Sequence, residues 1–327
     1  MPTTPRVPDA LRHRPFTRAQ ALDEGLTPRM LNGASYRRLF PRVWVHRAHE
    51  MSEDDWIAAA RLAVPPRAHL TDVSRLRLAG IDVGPVLPVR FVVQGDLHLD
   101  LERIVVHRTD RLPPLDTEGV SLASAYLHWC GRATVIEAIG VGDELLRTGA
   151  MSVLELTELA RRDRWRAGAR EAAWISAFLR ENVRSRRESS ARAYLTFAGL
   201  PEPELNGLIV HEGRVITASD LLYRRYRTVA EYDGGHHQRD RRQYLDDLAR
   251  NQDYRDLGLE YVIATKETSP QRFVTQVYDR IVRRGYTGPP PCFGGRWASL
   301  FRPIAQRGRF AERPHAASGD VGTSRAG

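Results

Sequence analysis

Ten residues late in the chain, Thr228 to His237 (TVAEYDGGHH), constrain its fold more than any other stretch. Residues 228–232 read as an apolar strand that breaks at Asp233-Gly234-Gly235. Glu231 and Asp233 lie two apart, so in a strand they share one face, about 6.5 Å apart along it. A strand-like run at 215–222 precedes them and carries Asp220 near its end. If these two strands are neighbours, three carboxylates converge. An acid-x-acid pair on a strand is ordinarily a solvated face. Here the strand is apolar, and a glycine pair and two histidines, His236 and His237, follow at once. Burying three carboxylates together is opposed by mutual repulsion unless a cation is present. Hard oxygen ligands in an incomplete shell suit Mg²⁺ or Mn²⁺. Such an ion activates water and stabilises charge on a phosphate. The glycine pair lets a phosphate backbone come close.

The pattern around this stretch sets its frame. Residues 188–197 are helical, stopped by Ala-Gly-Leu-Pro. Strands are expected at 205–210, 215–222 and 228–232, the first two joined by a turn at Glu212-Gly213. A long helix over 240–257 ends at Gly258, a fourth strand covers 259–264, and a closing helix covers 270–284. The order is α-β-β-β-α-β-α over residues 185–285. Residues 286–327, which begin YTGPPPCFGG and end ASGDVGTSRAG, read as a disordered tail.

The stretches Arg187-Glu188-Ser189, Ala198-Gly199-Leu200-Pro201, Asn206, Asp220-Leu221, Val229-Ala230-Glu231-Tyr232-Asp233-Gly234, His237, Asp247-Leu248-Ala249-Arg250 and Leu257-Gly258 resemble the very-short-patch-repair-like endonuclease domain. That domain belongs to the PD-(D/E)XK, restriction-endonuclease-like superfamily. The resemblance covers about 100 residues, 185–285, and its Glu-Tyr-Asp-Gly-x-x-His core carries most of it. It implies a fold that hydrolyses DNA phosphodiesters with a divalent metal. It implies Asp220, Glu231 and Asp233 as metal ligands, Glu188 as the helix acid and His237 as the family's histidine. Asp247 and Arg250 match its helix pair, and Arg250 is a candidate DNA contact. The chain departs from the superfamily at the lysine of the E-x-K element, where Asp233 stands. Lys266, the single lysine, follows the next strand. Asp233 or His237 is left to polarise water; failing that, the site is weak or dead.

The first 50 residues hold nine arginines against four acids. Because the chain carries 49 Lys plus Arg and only one of them is lysine, arginine abundance looks like coding bias, and its placement is the more useful guide. A basic first part is an electrostatic footprint that could meet phosphate, though a solvated surface has the same composition. Thr17 caps a first short helix that stops at Gly25. Thr27 caps a second, with Pro28 at its first position, ending near Gly33 or running on through Tyr36. Residues 39–45 follow as a turn and strand. Two helices and a strand in about 35 residues is the size of a winged helix-turn-helix. Arg37 and Arg38, just before the wing-like strand, are candidate phosphate contacts.

Thr17, Gln20-Ala21, Gly25, Leu31, Arg38-Leu39 and Arg42-Val43-Trp44 resemble the winged-helix region of AbiEi-type antitoxins, with Trp44 where a small glycine usually opens the wing. Ser74, Leu78, Gly80, Leu122-Ala123-Ser124 and Gly142-Asp143-Glu144-Leu145-Leu146 resemble the domain that follows it. The resemblance implies a DNA-reading module. Over 51–180 the periodicity gives helices at 54–64, 71–78, 121–129, 133–146, 153–161 and 169–179, and strands at 89–93 and 103–107. His69, His98, His107 and His128 are scattered through this part and read as structural.

The expected fold class is therefore α/β: a winged helix-turn-helix over 1–50, a mixed α/β unit over 51–180, a restriction-endonuclease-like domain over 185–285 and a tail over 286–327. Two cysteines, Cys130 and Cys292, exclude a disulfide scaffold and a cysteine-built zinc site. No run of about 18 apolar residues exists, and the first residues lack an apolar signal core, so a cytoplasmic protein without a membrane span is expected. Two functions follow. One is a DNA-acting, Mg²⁺- or Mn²⁺-dependent endonuclease; the other is an inactive DNA-binding antitoxin or transcriptional regulator that keeps the nuclease fold as scaffold. Double-stranded DNA is the expected partner in both, and a homodimer is left open.

Overall fold

A computed structural model describes residues 7–232, 254–265 and 267–309. It forms two compact units. One takes the described residues up to Arg132 together with Val141–Glu181; the other takes Ala133–Gly140 and the described residues from Asn182 on.

The first unit begins with α1 (Asp9–Arg12), β1 (Phe16–Thr17), α2 (Arg18–Asp23), α3 (Pro28–Leu31), β2 (Tyr36–Phe40) and β3 (Val43–His46). Thr17 caps α2 in a reciprocal box: its hydroxyl accepts from Gln20 N–H at 3.2 Å while its own N–H donates to Gln20 Oε1 at 2.8 Å. Thr27 caps α3, with Pro28 at the first turn. The three strands form an antiparallel sheet in the order β1-β3-β2. Its apolar face packs Leu11, Phe16, Ala21, Leu31, Tyr36 and Trp44 into one core. The sequence pattern did not show β1, and residues from Tyr36 belong to β2 rather than to a continuing helix.

Next come α4 (Glu53–Ala63), β4 (His69–Leu70), α5 (Asp72–Leu78), β5 (Val89–Gln94) and β6 (Ile104–Thr109). The strands make a second sheet, β4-β5-β6, antiparallel and then parallel. Phe40 and Val43 share a core with Ile57, Leu70 and Phe91, so the packing runs across the expected boundary at residue 50. Four more helices follow: α6 (Leu122–Cys130), α7 (Val135–Arg147), α8 (Val153–Arg162) and α9 (Ala169–Ile175). Gly142 of α7 leaves room for its neighbours, because a Cβ there would stand 2.6 Å from both Leu179 Cδ2 and the Tyr126 hydroxyl.

The second unit contains α10 (Arg186–Phe197), β7 (Glu204–His211), β8 (Arg214–Tyr223), β9 (Thr228–Tyr232), β10 (Glu260–Ala264) and α11 (Pro270–Arg283). The strands form one sheet in the order β10-β9-β8-β7. β7, β8 and β9 run antiparallel in turn, and β9 and β10 run parallel. The β7–β8 turn places Glu212 and Gly213 at φ +49° and +76°, the left-handed pair a tight hairpin requires. A parallel pair needs a crossover. The helix expected over 240–257 falls in this connection and lies largely outside the described residues; residues 254–256 are helical.

The expected disorder from residue 286 does not extend over the described part. α12 (Gly295–Ala298) is followed by short 3₁₀ turns, and Trp297, Leu300 and Ile304 are buried. Ile304 N–H donates to the Ala133 carbonyl, and Cys292 N–H to the Ala198 carbonyl, both at 2.9 Å. Phe301 stacks on Tyr194 and meets Trp297 edge-on. A high Gly and Pro content read as disorder; three buried apolar side chains within eight residues, Trp297, Leu300 and Ile304, supply the burial that offsets ordering.

Candidate functional site

The expected site lies in the second unit. Ser185 caps α10, accepting from Glu188 N–H at 3.2 Å. Glu188 stands at the third position of that helix and turns back on its start. Its carboxylate accepts from the Arg184 backbone N–H and from the Ser185 hydroxyl, each at 3.0 Å. A carboxylate at a helix N-terminus is favoured by the helix dipole. Glu188 is nevertheless buried, only 7% exposed. Burial pushes its pKa above the ordinary carboxylate value, and the negative charge of Asp220 adds to the rise; the bonds from Arg184 and Ser185 pull the other way without cancelling it.

Asp220 is half-buried on β8, between buried Ser219 and Leu221. The β8–β9 ladder pairs Tyr223 with Thr228, Leu222 with Val229 and Leu221 with Ala230. The ladder ends at that pair, and continuing its register by one step would set Asp220 against Glu231. Directly opposed residues of an antiparallel pair share a face, so both carboxylates belong to the face that carries Leu222 and Val229. The neighbouring-strand condition posed by the sequence is thus met. Glu231 is half-buried, and its Oε1 accepts from the Tyr254 hydroxyl at 2.5 Å. Tyr254 is fully buried on this face against Ile209, Leu222 and Val229.

Glu188 and Asp220 are therefore electrostatic neighbours, and Asp220 and Glu231 are register neighbours. Asp233, His237, Asp247, Arg250 and Lys266 lie outside the described residues. Among the described residues no three potential ligands come together as a metal-holding group. The donor chemistry is oxygen only, and a carboxyl whose pKa is lifted first by burial and then by the charge of Asp220 is a group that a nearby cation would relieve. Tyr254 was not singled out in the sequence. An isolated tyrosine within a polar helix gives no signal until the pairing of β9 and β8 puts Glu231 beside it.

In the first unit, Arg37 and Arg38 lie within β2. Arg38 is exposed and opposite Trp44, whereas Arg37 donates to the His49 carbonyl at 3.0 Å. Arg14, Arg18, Arg29, Arg42 and Arg47 are also exposed on this part. Trp44, which stands where a small glycine usually opens the wing, is a core residue of the first sheet, paired with Phe16 and Arg38.

The histidines of the middle region are not all scattered. His107 of β6 and His128 of α6 meet edge-to-face at 5.3 Å between ring centres, beside a fully buried carboxylate, Asp72. Asp72 is ion-paired with Arg132 and lies 3.5 Å from His128 Nδ1 and 3.9 Å from Arg90 Nε. Burial alone would push its pKa up, but His128 and Arg132 together hold it below the ordinary value. Compared with known proteins, the chain matches no family model and no curated sequence. No described helix is long and apolar enough to cross a membrane.

Proposed function

We propose that the chain is a DNA-acting protein whose second unit hydrolyses phosphodiester bonds with a divalent cation, Mg²⁺ or Mn²⁺. The observation that supports this most is the β8–β9 register, which brings Asp220 and Glu231 to one face of the sheet, with Glu188 close enough to feel the charge of Asp220. On this reading Asp220 and Glu231 would hold the ion, and Asp233, two residues beyond Glu231, would complete or adjust its shell. When bound, the ion supplies Lewis-acid stabilisation of phosphate charge and lowers the pKa of water. The chain's own residues do the rest. Tyr254 fixes one oxygen of Glu231 and so orients its carboxylate. Glu188 keeps negative charge beside Asp220. His237 takes or gives a proton at the attacking water or leaving oxygen. The strand-helix array of residues 7–46 serves as a winged-helix reader, with Arg38 on the phosphates of duplex DNA.

The second reading, a DNA-binding antitoxin or regulator that no longer cuts, is favoured by Asp233 standing in place of the superfamily lysine. Plasmid incubated with the protein in Mg²⁺, Mn²⁺ or EDTA separates the two. The nuclease reading expects metal-dependent nicking or cutting that EDTA stops. Binding without cutting in either metal supports the regulator.

A further inference from the structure

The cluster around Asp72 borders a cavity of about 220 Å³ in the first unit that the nuclease reading does not use. Its floor is formed by the buried residues Val92, Ser124, Leu127 and Leu159. His107 and His128 line it from β6 and α6, and exposed Trp165 and Arg108, with the largely covered Arg166, complete the lining.

Three features separate this cavity from a packing defect. First, the backbone is strained beside it. Asp72, at the first position of α5, has φ +57°, and its Oδ1 accepts from Val73 N–H at 2.8 Å. A fully buried, charged residue in the left-handed region persists only where the surroundings over-determine it, and such residues cluster at functional sites. Second, polar atoms remain unsatisfied. His107 Nε2 is buried without a hydrogen-bond partner among the described residues, and Asp72 Oδ2 and His128 Nδ1 have only each other, at a long 3.5 Å. Native interiors rarely leave such groups unmatched. Third, Trp165, a large apolar residue, is 59% exposed and held flat by the guanidinium of Arg166 at 4.3 Å from its ring centre. Arg166 is itself anchored, donating to Asp163 at 2.8 Å and to the Arg111 carbonyl at 2.9 Å. Trp165 is thus a supported aromatic surface at the edge of a cavity.

These features define complementary chemistry. An apolar floor and an aromatic edge suit a planar ring. Two imidazoles and the hydroxyls of Thr71, Thr109 and Ser124 offer hydrogen bonds to ring edges or a sugar. Arg108 and Arg166 line the cavity and are paired with Asp96 and Asp163, and their guanidinium donors are the groups an anionic substituent would contact in exchange for those carboxylates. Asp72 acts as a positioning residue, holding His128 by its Nδ1 side. The volume is below the usual 300–1,000 Å³ of drug-sized ligand pockets, which limits the occupant to about one ring system with its substituents.

We infer that this cavity is a binding site for a single nucleotide, its base against the apolar floor and Trp165 and its phosphate at the arginine-lined mouth. The nucleotide is either free or part of a single strand; the ring-plus-phosphate chemistry is common to both. The site rests on the first unit alone and stands whether or not the second unit cuts DNA.

Calorimetric titration of the full-length protein with adenosine 5′-monophosphate tests this. Saturable binding is expected with Kd below about 1 mM, and adenosine or inorganic phosphate alone should bind at least about tenfold more weakly, because each lacks one half of the recognised group. Trp165→Ala, at an exposed position that leaves the core intact, should weaken binding by about tenfold through lost stacking. His107→Gln should also weaken it. A single-stranded DNA tetramer with a 5′-phosphate then identifies the source: displacement of the monophosphate points to a strand, and no displacement points to the free nucleotide. The inference fails if the folded wild type shows no saturable binding. It also fails if Trp165→Ala and His107→Gln both bind as well as the wild type, or if inorganic phosphate binds as tightly as the monophosphate.

Discussion

The two units bury a carboxylate in opposite ways. In the first, Asp72 is completely enclosed, yet His128 and Arg132 hold its pKa below the ordinary value. In the second, Glu188 is almost as enclosed, and burial together with the charge of Asp220 lifts its pKa. The first carboxylate has its counter-charge built into the chain. The second sits beside the negative charge of Asp220, which the bonds from Arg184 and Ser185 and the Arg184 charge offset only in part. A buried charge without compensation is costly, and the group responds by holding a proton or by taking a cation. Asp72 therefore serves to position its neighbours, whereas on the proposed reading the Glu188–Asp220–Glu231 group is where a cation would bind.

The sharpest way to break this comparison is to remove a ligand from the acidic group. Glu231→Ala should cost about 10³-fold or more in plasmid cleavage, measured as the rate of nicking, while duplex binding persists. His237→Ala should cost about 10²–10⁴-fold in the same assay, and Lys266→Ala less. If Lys266→Ala is as inactive as Glu231→Ala, the lysine has migrated and the role given to His237 is wrong.

Asp72→Ala should destabilise the protein by about 3 kcal/mol, read by urea denaturation, because it strands the positive groups arranged around a buried charge. The stability Asp72 contributes is present above the pKa of an unfolded aspartate and disappears as pH falls through its lower folded value. The stability difference between the wild type and Asp72→Ala should accordingly narrow on acidification. Arg38→Ala should weaken duplex binding only a few-fold and reduce its salt slope by about one, seen in binding isotherms at several salt concentrations; an unchanged slope would remove Arg38 from the interface.

Glu188→Gln should have the smallest effect and the opposite sign. Glutamine keeps the cap at the start of α10 and removes a charge that burial opposes. Without metal, it should raise the melting temperature at neutral pH by roughly 2 °C. A carboxyl with a raised folded pKa loses stability as pH rises from the unfolded value through the folded one. The advantage of the variant should therefore vanish in acid, where the wild-type carboxyl is protonated in both states. A destabilised variant at neutral pH would show that Glu188 is already neutralised by the chain.

Much of this arrangement was legible in the sequence because it is local. Thr17 and Thr27 announced their helices through capping chemistry, and β9 was fixed by an apolar run broken at Asp233. The alternation in β8 and β9 put Asp220 and Glu231 in strands, but only the register made them opposite one another. What the sequence hid is non-local. His107 and His128 are 21 positions apart on different elements and meet Asp72 only through the packing of α5, α6 and β6. Tyr254 finds Glu231 across the sheet face. Residues 295–304 looked like tail because Gly and Pro are dense just before them, and nothing local reveals that Ile304 pairs with Ala133. Short strands such as β1 and β4 likewise exist only because partners hold them.

The central claim is that the second unit's carboxylates form a cation site, and thermal melting with Mn²⁺ and Mg²⁺ tests it most directly. An ion that binds only the folded group stabilises it by about 2.7 kcal/mol at a hundredfold excess over Kd. The melting temperature of the wild type should rise with metal concentration, and Asp220→Asn should abolish most of that rise while folding normally in EDTA. No shift in the wild type at saturating Mn²⁺ and Mg²⁺, or an equal shift in Asp220→Asn, would contradict the account.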